Sequence, residues 1–229
     1  MSGVTLLSEW DPPEALPPTR RALREPNGLL AVGGSLSPAW LLHAYRRGIF
    51  PWYAEGQPIL WWTPDPRAVL FPGEFRCSRS LAKSIRNRGF ELRIDSAFDQ
   101  VVAACAEPRS RDPGTWITPA VHRSYVELHA RGVAHSVEAW LGGELVGGLY
   151  GVGLGRVFFG ESMFARVRDA SKVALAHLVR ECLARGVELI DCQMVTDHLS
   201  SLGSRAIPRA EFEALLARLC TGPDDLWRR

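Results

Sequence analysis

The sequence predicts an α+β fold, a mixed sheet flanked by helices and preceded by a small N-terminal domain. Three observations carry this prediction. Residues 134–164 read as three consecutive strands, turning at Gly142 and Gly143 and again between Gly153 and Gly155. Residues 156–194 run strand, helix, strand, and a right-handed crossover makes those two strands parallel and adjacent. The first 64 residues are rich in Pro, Gly and Trp. They give way at TPDPR (63–67) to regularly alternating elements, so the expected units are 1–64 and 65–229.

Taken in order, SLSPAWLLHAYRRG (35–48) is a short helix with Ser37 as N-cap, Pro38 at its first position and Gly48 as terminator. RCSRSLAKSIRNR (76–88) is a basic helix and FELRID (90–95) a strand. A helix over 96–107 is expected to be capped by Asp95 or Ser96, and a second runs over 119–131 to Gly132. After the three strands, Ala174, Leu175, Leu178, Val179, Cys182 and Leu183 form the apolar stripe of a helix stopped by Gly186. The strand VELIDCQ (187–193), a short helical DHLSSLG and a last helix over 210–220 complete the chain. This order is similar to the acetyltransferase (GNAT) layout.

Composition bounds the function. At 46% hydrophobic and 23% charged residues the chain has the make-up of a folded domain, and no apolar run approaches the ~20 residues of a membrane span. The N-terminus lacks a secretory signal, so no membrane partner and a cytoplasmic location are expected. Five scattered cysteines without a C-x-x-C pair, and six histidines without ligand spacing, argue against a disulfide framework or a metal centre. With a net charge of only +2, any nucleic-acid footprint must be local. Residues 76–88 offer one: five basic residues, no acidic one, with Arg79, Lys83 and Arg86 on a single face. It reads either as a solvated face or as a phosphate-binding one.

Asp191 and Gln193 raise a sharper question. They lie two apart in a strand that should be buried, where alternation puts them on one face about 6–7 Å apart. Leaving such groups unpartnered costs several kcal/mol. The same alternation groups Val157, Phe159, Glu161 and Met163 on the partner strand, so Glu161, Asp191 and Gln193 converge beside Met163 at the C-terminal ends of the parallel pair. Two readings stand: a buried network tying the strands, or a pocket with apolar walls and a few polar anchors. Two other motifs fail. GESMF has Phe164 where a nucleophile elbow needs its second Gly, so Ser162 is not an acyl-enzyme nucleophile. The glycines of GVGLG join two strands and open no helix, while the strand–helix junction FARVRDAS has no glycine to cradle a coenzyme A pyrophosphate. Trp52 and Trp116 suit either packing or stacking on a base; Trp61 and Trp62 suit packing between the two units.

The stretches NGLLAVGGSLSP, AYRRGIFPWY, ILWWTPDPRAVL, GTWIT, AHSVEAW, LVGGLYGV, FFGESMF, ASKVAL, LIDCQ and HLSSLGS…IPR together resemble the leucyl/phenylalanyl-tRNA–protein transferase family, from about residue 25 to about residue 212. Ser35 and Ser204 depart from its pattern, where Asp and Ala are expected. The resemblance implies a GNAT-like domain that uses no coenzyme A or other cofactor. It further implies transfer of Leu or Phe, and also Met, from Leu-tRNA and Phe-tRNA to proteins with N-terminal Arg or Lys, marking them for degradation. It assigns Arg76, Arg79, Lys83 and Arg86 to the tRNA acceptor stem, and Tyr45, Trp52, Trp116, Tyr125, Phe158, Glu161, Ser162, Met163 and Ile190 to the aminoacyl-adenosine pocket. Asp191 and Gln193 become the catalytic pair, with Gln193 orienting the amine or Asp191 acting directly as base. The competing expectation is a coenzyme A-dependent acetyltransferase, against which the glycine-free junction speaks.

Overall fold

The sequence hides four short strands near the N-terminus, three of them only two or three residues long, too short to show a period-2 pattern. In the computed structural model, which describes residues 3–108, 115–222 and 226–227, β1 (Thr5–Leu7), β2 (Leu29–Gly33), β3 (Phe50–Pro51) and β4 (Leu60–Trp62) form a sheet in the order β1-β2-β4-β3. Gly114 of the GTWIT motif lies outside these residues. Helix α1 (Pro38–Arg46) follows Ser37 and is stopped at Gly48, whose φ of 71° suits glycine. Trp61 is buried, stacked on Trp40 with centroids 5.8 Å apart, and donates Nε1–H to the Gly33 carbonyl at 2.8 Å. Partly buried Trp62 donates to the Trp52 carbonyl at 2.7 Å.

The larger sheet has seven strands in the order β11-β5-β10-β9-β8-β7-β6. These are β5 (Arg67–Leu70), β6 (Glu91–Ile94), β7 (Ala134–Leu141), β8 (Glu144–Leu154), β9 (Val157–Ala165), β10 (Leu189–Gln193) and β11 (Arg205–Ile207). Only β9 and β10 are parallel; every other neighbouring pair is antiparallel. The mixed, helix-flanked α+β architecture expected from the sequence is therefore observed. One face packs on α2 (Arg79–Asn87) and α5 (Ala170–Arg185), burying Phe158, Val173, Leu178 and Ile190 together. The other face packs on α3 (Phe98–Ala106), α4 (Pro119–Ala130), α7 (Arg209–Leu219) and the N-terminal sheet, burying Val157, Phe159, Val121 and Phe212. A single turn, α6 (Asp197–Ser201), follows β10.

Two local expectations change. Neither Asp95 nor Ser96 caps α3; instead Glu138 of β7 accepts the backbone N–H groups of Ser96 and Ala97 at 3.1 and 3.3 Å. A buried carboxylate from a neighbouring strand thus holds the two backbone N–H groups that lead into the helix, whose first turn has no side-chain cap. The second change is Arg67. It ends the TPDPR segment in sequence but opens β5 in space, with its side chain 1% exposed.

Arg67 donates Nε–H to Asp191 Oδ1 at 2.8 Å, Nη2–H to Asp191 Oδ2 at 2.6 Å and Nη1–H to the Gly48 carbonyl at 3.0 Å. The rings of Phe50 and Phe212 lie 4.8 and 4.7 Å from the guanidinium carbon. A two-pronged pair with matched geometry is the form in which a buried ion pair holds its own against desolvation. Arg67→Ala strands the Asp191 charge and should lower the urea-unfolding free energy by ~3–5 kcal/mol. Adding Asp191→Ala should recover part of that loss, because no orphan charge remains. Equal stability of Arg67→Ala and the native protein would contradict the assignment.

Candidate active site

Two bulges rearrange the strand ends. On β9, Ser162 is paired with Tyr150 and Gly160 with Gly151, leaving Glu161 as the extra residue. On β10, Asp191 is paired with Val69 and Gln193 with Ala68, leaving Cys192 as the extra one. A bulge reverses the alternation beyond it, and two expectations built on strict parity fail for this reason. Met163 does not share a face with Glu161; it packs with Leu149 and the α5 cluster on the opposite side from Phe159. Asp191 and Gln193 do not share a face either. Asp191 turns into the interior toward Arg67, whereas Gln193, at φ 61°, turns its carboxamide into a cleft.

The bulges also end the parallel pairing, whose last register pair is Phe159 with Asp191. Beyond it the strands part, and cavities open on both sides of the gap. A cleft of about 810 Å³ is lined by Trp52, Trp116, Glu161, Ser162, Gln193 and His198, among others. It adjoins a chamber of about 430 Å³ between Trp52, Tyr53, Trp62 and Trp116. On the α5 side, Leu149, Phe158, Met163, Leu175, Leu178 and Ile190 enclose an apolar pocket of about 110 Å³. Ser162 borders all three, and Glu161 and Gln193 border both the cleft and the apolar pocket. An elongated ligand can therefore lay a flat group on the tryptophans and pass an apolar one through the sheet.

Glu161 is the polar centre of the gap. Its Oε1 accepts the Tyr45 hydroxyl at 2.7 Å and Gln193 Nε2–H at 3.2 Å, and its Oε2 accepts the Tyr125 hydroxyl at 2.8 Å. The two hydroxyls also touch each other. Burial pushes the Glu161 carboxyl up from 4.5 to about 7, with the Tyr45 and Tyr125 hydrogen bonds pulling it back down and the Asp191 charge adding to the rise. Burial, then the Glu161 charge, holds both phenols well above their ordinary value. Burial likewise pushes the Cys192 thiol up, so it is a poor nucleophile.

The expected residues thus fall into four groups. Trp52, which is 41% exposed, Trp116, Ser162, Glu161 and Gln193 meet in the cleft. Phe158, Met163 and Ile190 meet in the apolar pocket. Tyr45 and Tyr125 are buried behind Glu161, and Asp191 is sealed from solvent behind Gln193, whose backbone N–H it accepts at 3.0 Å. Arg76, Arg79, Lys83 and Arg86 are exposed on and beside α2, and no ion pair engages them among the described residues. Helix α2 is capped by Ser78, buries Leu81 and is tied to the start of α5 by the Ser84 hydroxyl, which donates to Asp169 at 2.8 Å. Arg67 and the pocket residues Leu149, Leu175 and Leu178 complete the site beyond what the sequence reading assigned to it.

An apolar pocket for a side chain beside hydrogen-bonding groups able to hold an amine suits acyl transfer to nitrogen, and the class is that of the aminoacyltransferases. Comparison with known proteins makes this particular: the chain belongs to the leucyl/phenylalanyl-tRNA protein transferase family. The family's sequence model matches residues 69–217, and the model of its N-terminal domain matches 34–65. The chain is 60% identical over 215 residues to the leucyl/phenylalanyl-tRNA–protein transferase of Chromohalobacter salexigens, covering 93% of this chain and 84% of that one. It is 62% identical over 204 residues to the enzyme of that name from Azoarcus sp., covering 89% and 87%. Among solved structures, a GCN5-related N-acetyltransferase from Kribbella flavida is similar over 74% of this chain and 60% of its own, with 11% identity and a TM-score of 0.40.

The raised Glu161 carboxyl has a consequence for stability. Between its unfolded value of 4.5 and its folded value of about 7, the unfolded chain releases this proton while the folded one retains it. Folding stability from this group therefore falls as pH rises through that window and levels off above it. Glu161→Gln removes the dependence. The urea-unfolding free energy of the variant minus that of the native protein should grow by ~3 kcal/mol between pH 4.5 and pH 8. A difference that stays flat with pH would contradict this reading.

Proposed function

We propose that the protein transfers Leu, Phe or Met from its tRNA onto the α-amino group of cytoplasmic proteins that begin with Arg or Lys, forming a peptide bond that marks them for degradation. The observation that carries this is the Gln193 carboxamide standing in the gap between an apolar pocket and an aromatic cleft. In this reading the 3′-terminal adenosine lies along Trp52 and Trp116, and the amino-acid side chain enters between Phe158, Met163 and Ile190. The ester carbonyl then sits at Gln193. A small apolar pocket of this kind favours side chains unbranched at Cβ, because Ile and Val carry bulk next to the backbone.

The donor is an activated ester and the product an amide, so no energy source and no covalent enzyme intermediate are required. Holding amine and ester at reacting distance can contribute ~7–11 kcal/mol. The free amine, with an ordinary pKa of about 8, attacks the carbonyl carbon. The Gln193 amide oxygen accepts one amine N–H and orients the lone pair. As the C–O ester bond breaks, the proton lost by nitrogen passes to the departing ribose oxygen, directly or through the neighbouring hydroxyl or a water. Asp191 is fully buried and held two-pronged by Arg67, which supports a positioning role behind Gln193 in place of direct proton abstraction. Arg76, Arg79, Lys83 and Arg86 provide the charge for the acceptor stem. At the start of α5 stands Asp169, its carboxylate facing Ser84, where a coenzyme A-dependent enzyme would need pyrophosphate-binding N–H groups.

Incubating the protein with Phe-tRNA and a peptide beginning with Arg should yield the Phe-extended peptide, detected by mass. Absence of product while Phe-tRNA is bound would overturn the reading. Reversing charge at Arg79 and Lys83 should raise KM for Phe-tRNA about tenfold at low salt and flatten its salt dependence by roughly two phosphate contacts. An unchanged KM and salt slope would make α2 a solvated face only.

A further inference from the structure

A primary carboxamide has nearly the same shape at both ends, so its useful orientation must come from its partners. Gln193 is useful to an attacking amine only with its oxygen in the cleft; the NH2 end would oppose the amine N–H. Packing alone does not distinguish the two orientations.

We propose that Glu161 is a positioning residue for Gln193: its carboxylate, held by the hydroxyls of Tyr45 and Tyr125, takes the Nε2–H of Gln193 and turns the amide oxygen toward the attacking amine. An ionised carboxylate only accepts hydrogen bonds. Glu161 Oε1, 3.2 Å from Gln193 Nε2, therefore admits the nitrogen and rejects the oxygen. The carboxylate cannot rotate away, because Tyr45 at 2.7 Å and Tyr125 at 2.8 Å fix its two oxygens separately. The backbone of Gln193 is held as well, through its N–H to Asp191 Oδ1 at 3.0 Å. Asp191 thus fixes where the side chain starts, and Glu161 fixes which way its end points.

Protonation reverses the preference. A neutral Glu161 carries an O–H donor that can take the Gln193 oxygen and turn the NH2 end to the cleft. The groups facing Glu161 are Tyr45 from α1, Tyr125 from α4, Tyr150 from β8, Asp191 from β10 and Arg67 from β5. Of these, Tyr45 and Tyr125 donate to the carboxylate directly, and they keep it ionised further into acid than burial alone would allow.

The inference rests on the aminoacyl-transfer reading, and its test separates the two. The side-chain amide of Gln193, labelled with 15N and assigned by its loss in Gln193→Glu, is followed by NMR from pH 5.5 to pH 8.5, and kcat and KM are measured with Phe-tRNA and an Arg-initiated peptide. The amide resonance should titrate with a midpoint near 7 in the native protein. It should not titrate in Glu161→Gln, and its midpoint should move to higher pH in Tyr125→Phe, which removes one donor. Glu161→Gln, still able to hold the tyrosines, should lower kcat about 30-fold with KM for Phe-tRNA within about threefold. A Gln193 resonance indifferent to pH, or a Glu161→Gln variant with native kcat, overturns the proposal. A native protein that transfers nothing overturns the functional reading, while the amide titration still decides the orientation.

Discussion

The Arg67–Asp191 pair is the contact on which the geometry of the gap depends. Taking both charges out of water costs several kcal/mol per ion. The structure offsets this with a two-pronged pair, a third hydrogen bond to the Gly48 carbonyl and the faces of Phe50 and Phe212. The pair itself joins neighbouring strands β5 and β10, while its enclosure draws on the turn at Gly48, on β3 and on α7. Its outcome is local. Asp191, held rigid, presents Oδ1 to the backbone N–H of Gln193 and supports a left-handed conformation that costs a residue with a side chain of order 1–3 kcal/mol.

Much of the scaffold was legible in the sequence because its signals are strong and local. The glycine pair at 142–143 marks the β7–β8 turn, and the stripe from Ala174 to Cys182 marks α5 with Gly186 at its end, although Leu183, read into that stripe, is 57% exposed. Residues 156–194 form the parallel pair of the larger sheet through a helical crossover, as their order requires. Three of the four N-terminal strands, of two or three residues, fall below the length at which alternation becomes a pattern. Arg67 was hidden because Pro64 and Pro66 just before it read as linker, although a carboxylate predicted to be buried at Asp191 already demanded a counter-charge somewhere.

The site was legible in its members and not in its arrangement. Asp191, Gln193, Glu161 and Met163 were found by asking what polar and polarisable groups do in a buried strand. Their facing was wrong because alternation assumes regular pairing, and each of the two strands inserts an extra residue just where the site begins. A bulge depends on which residue of the neighbouring strand answers which, and that lies outside any local pattern. Leu175 and Leu178 were read as helix stripe without assignment to a pocket for a related reason: periodicity tells which side of a helix is apolar, not that a void remains beneath it.

The parting of β9 and β10 also bears on how turnover ends. In the proposed reading, the transferred residue is bonded to the peptide on one side of the sheet while its side chain remains lodged on the other, among Phe158, Met163 and Ile190. Departure then requires withdrawal through the opening, against the same exclusion of water that favoured entry. Bulkier donors lose more apolar contact on leaving, so they would be held longer once joined. The narrowness that selects the incoming residue would thereby become a brake on the outgoing one, coupling discrimination to the pace of the cycle.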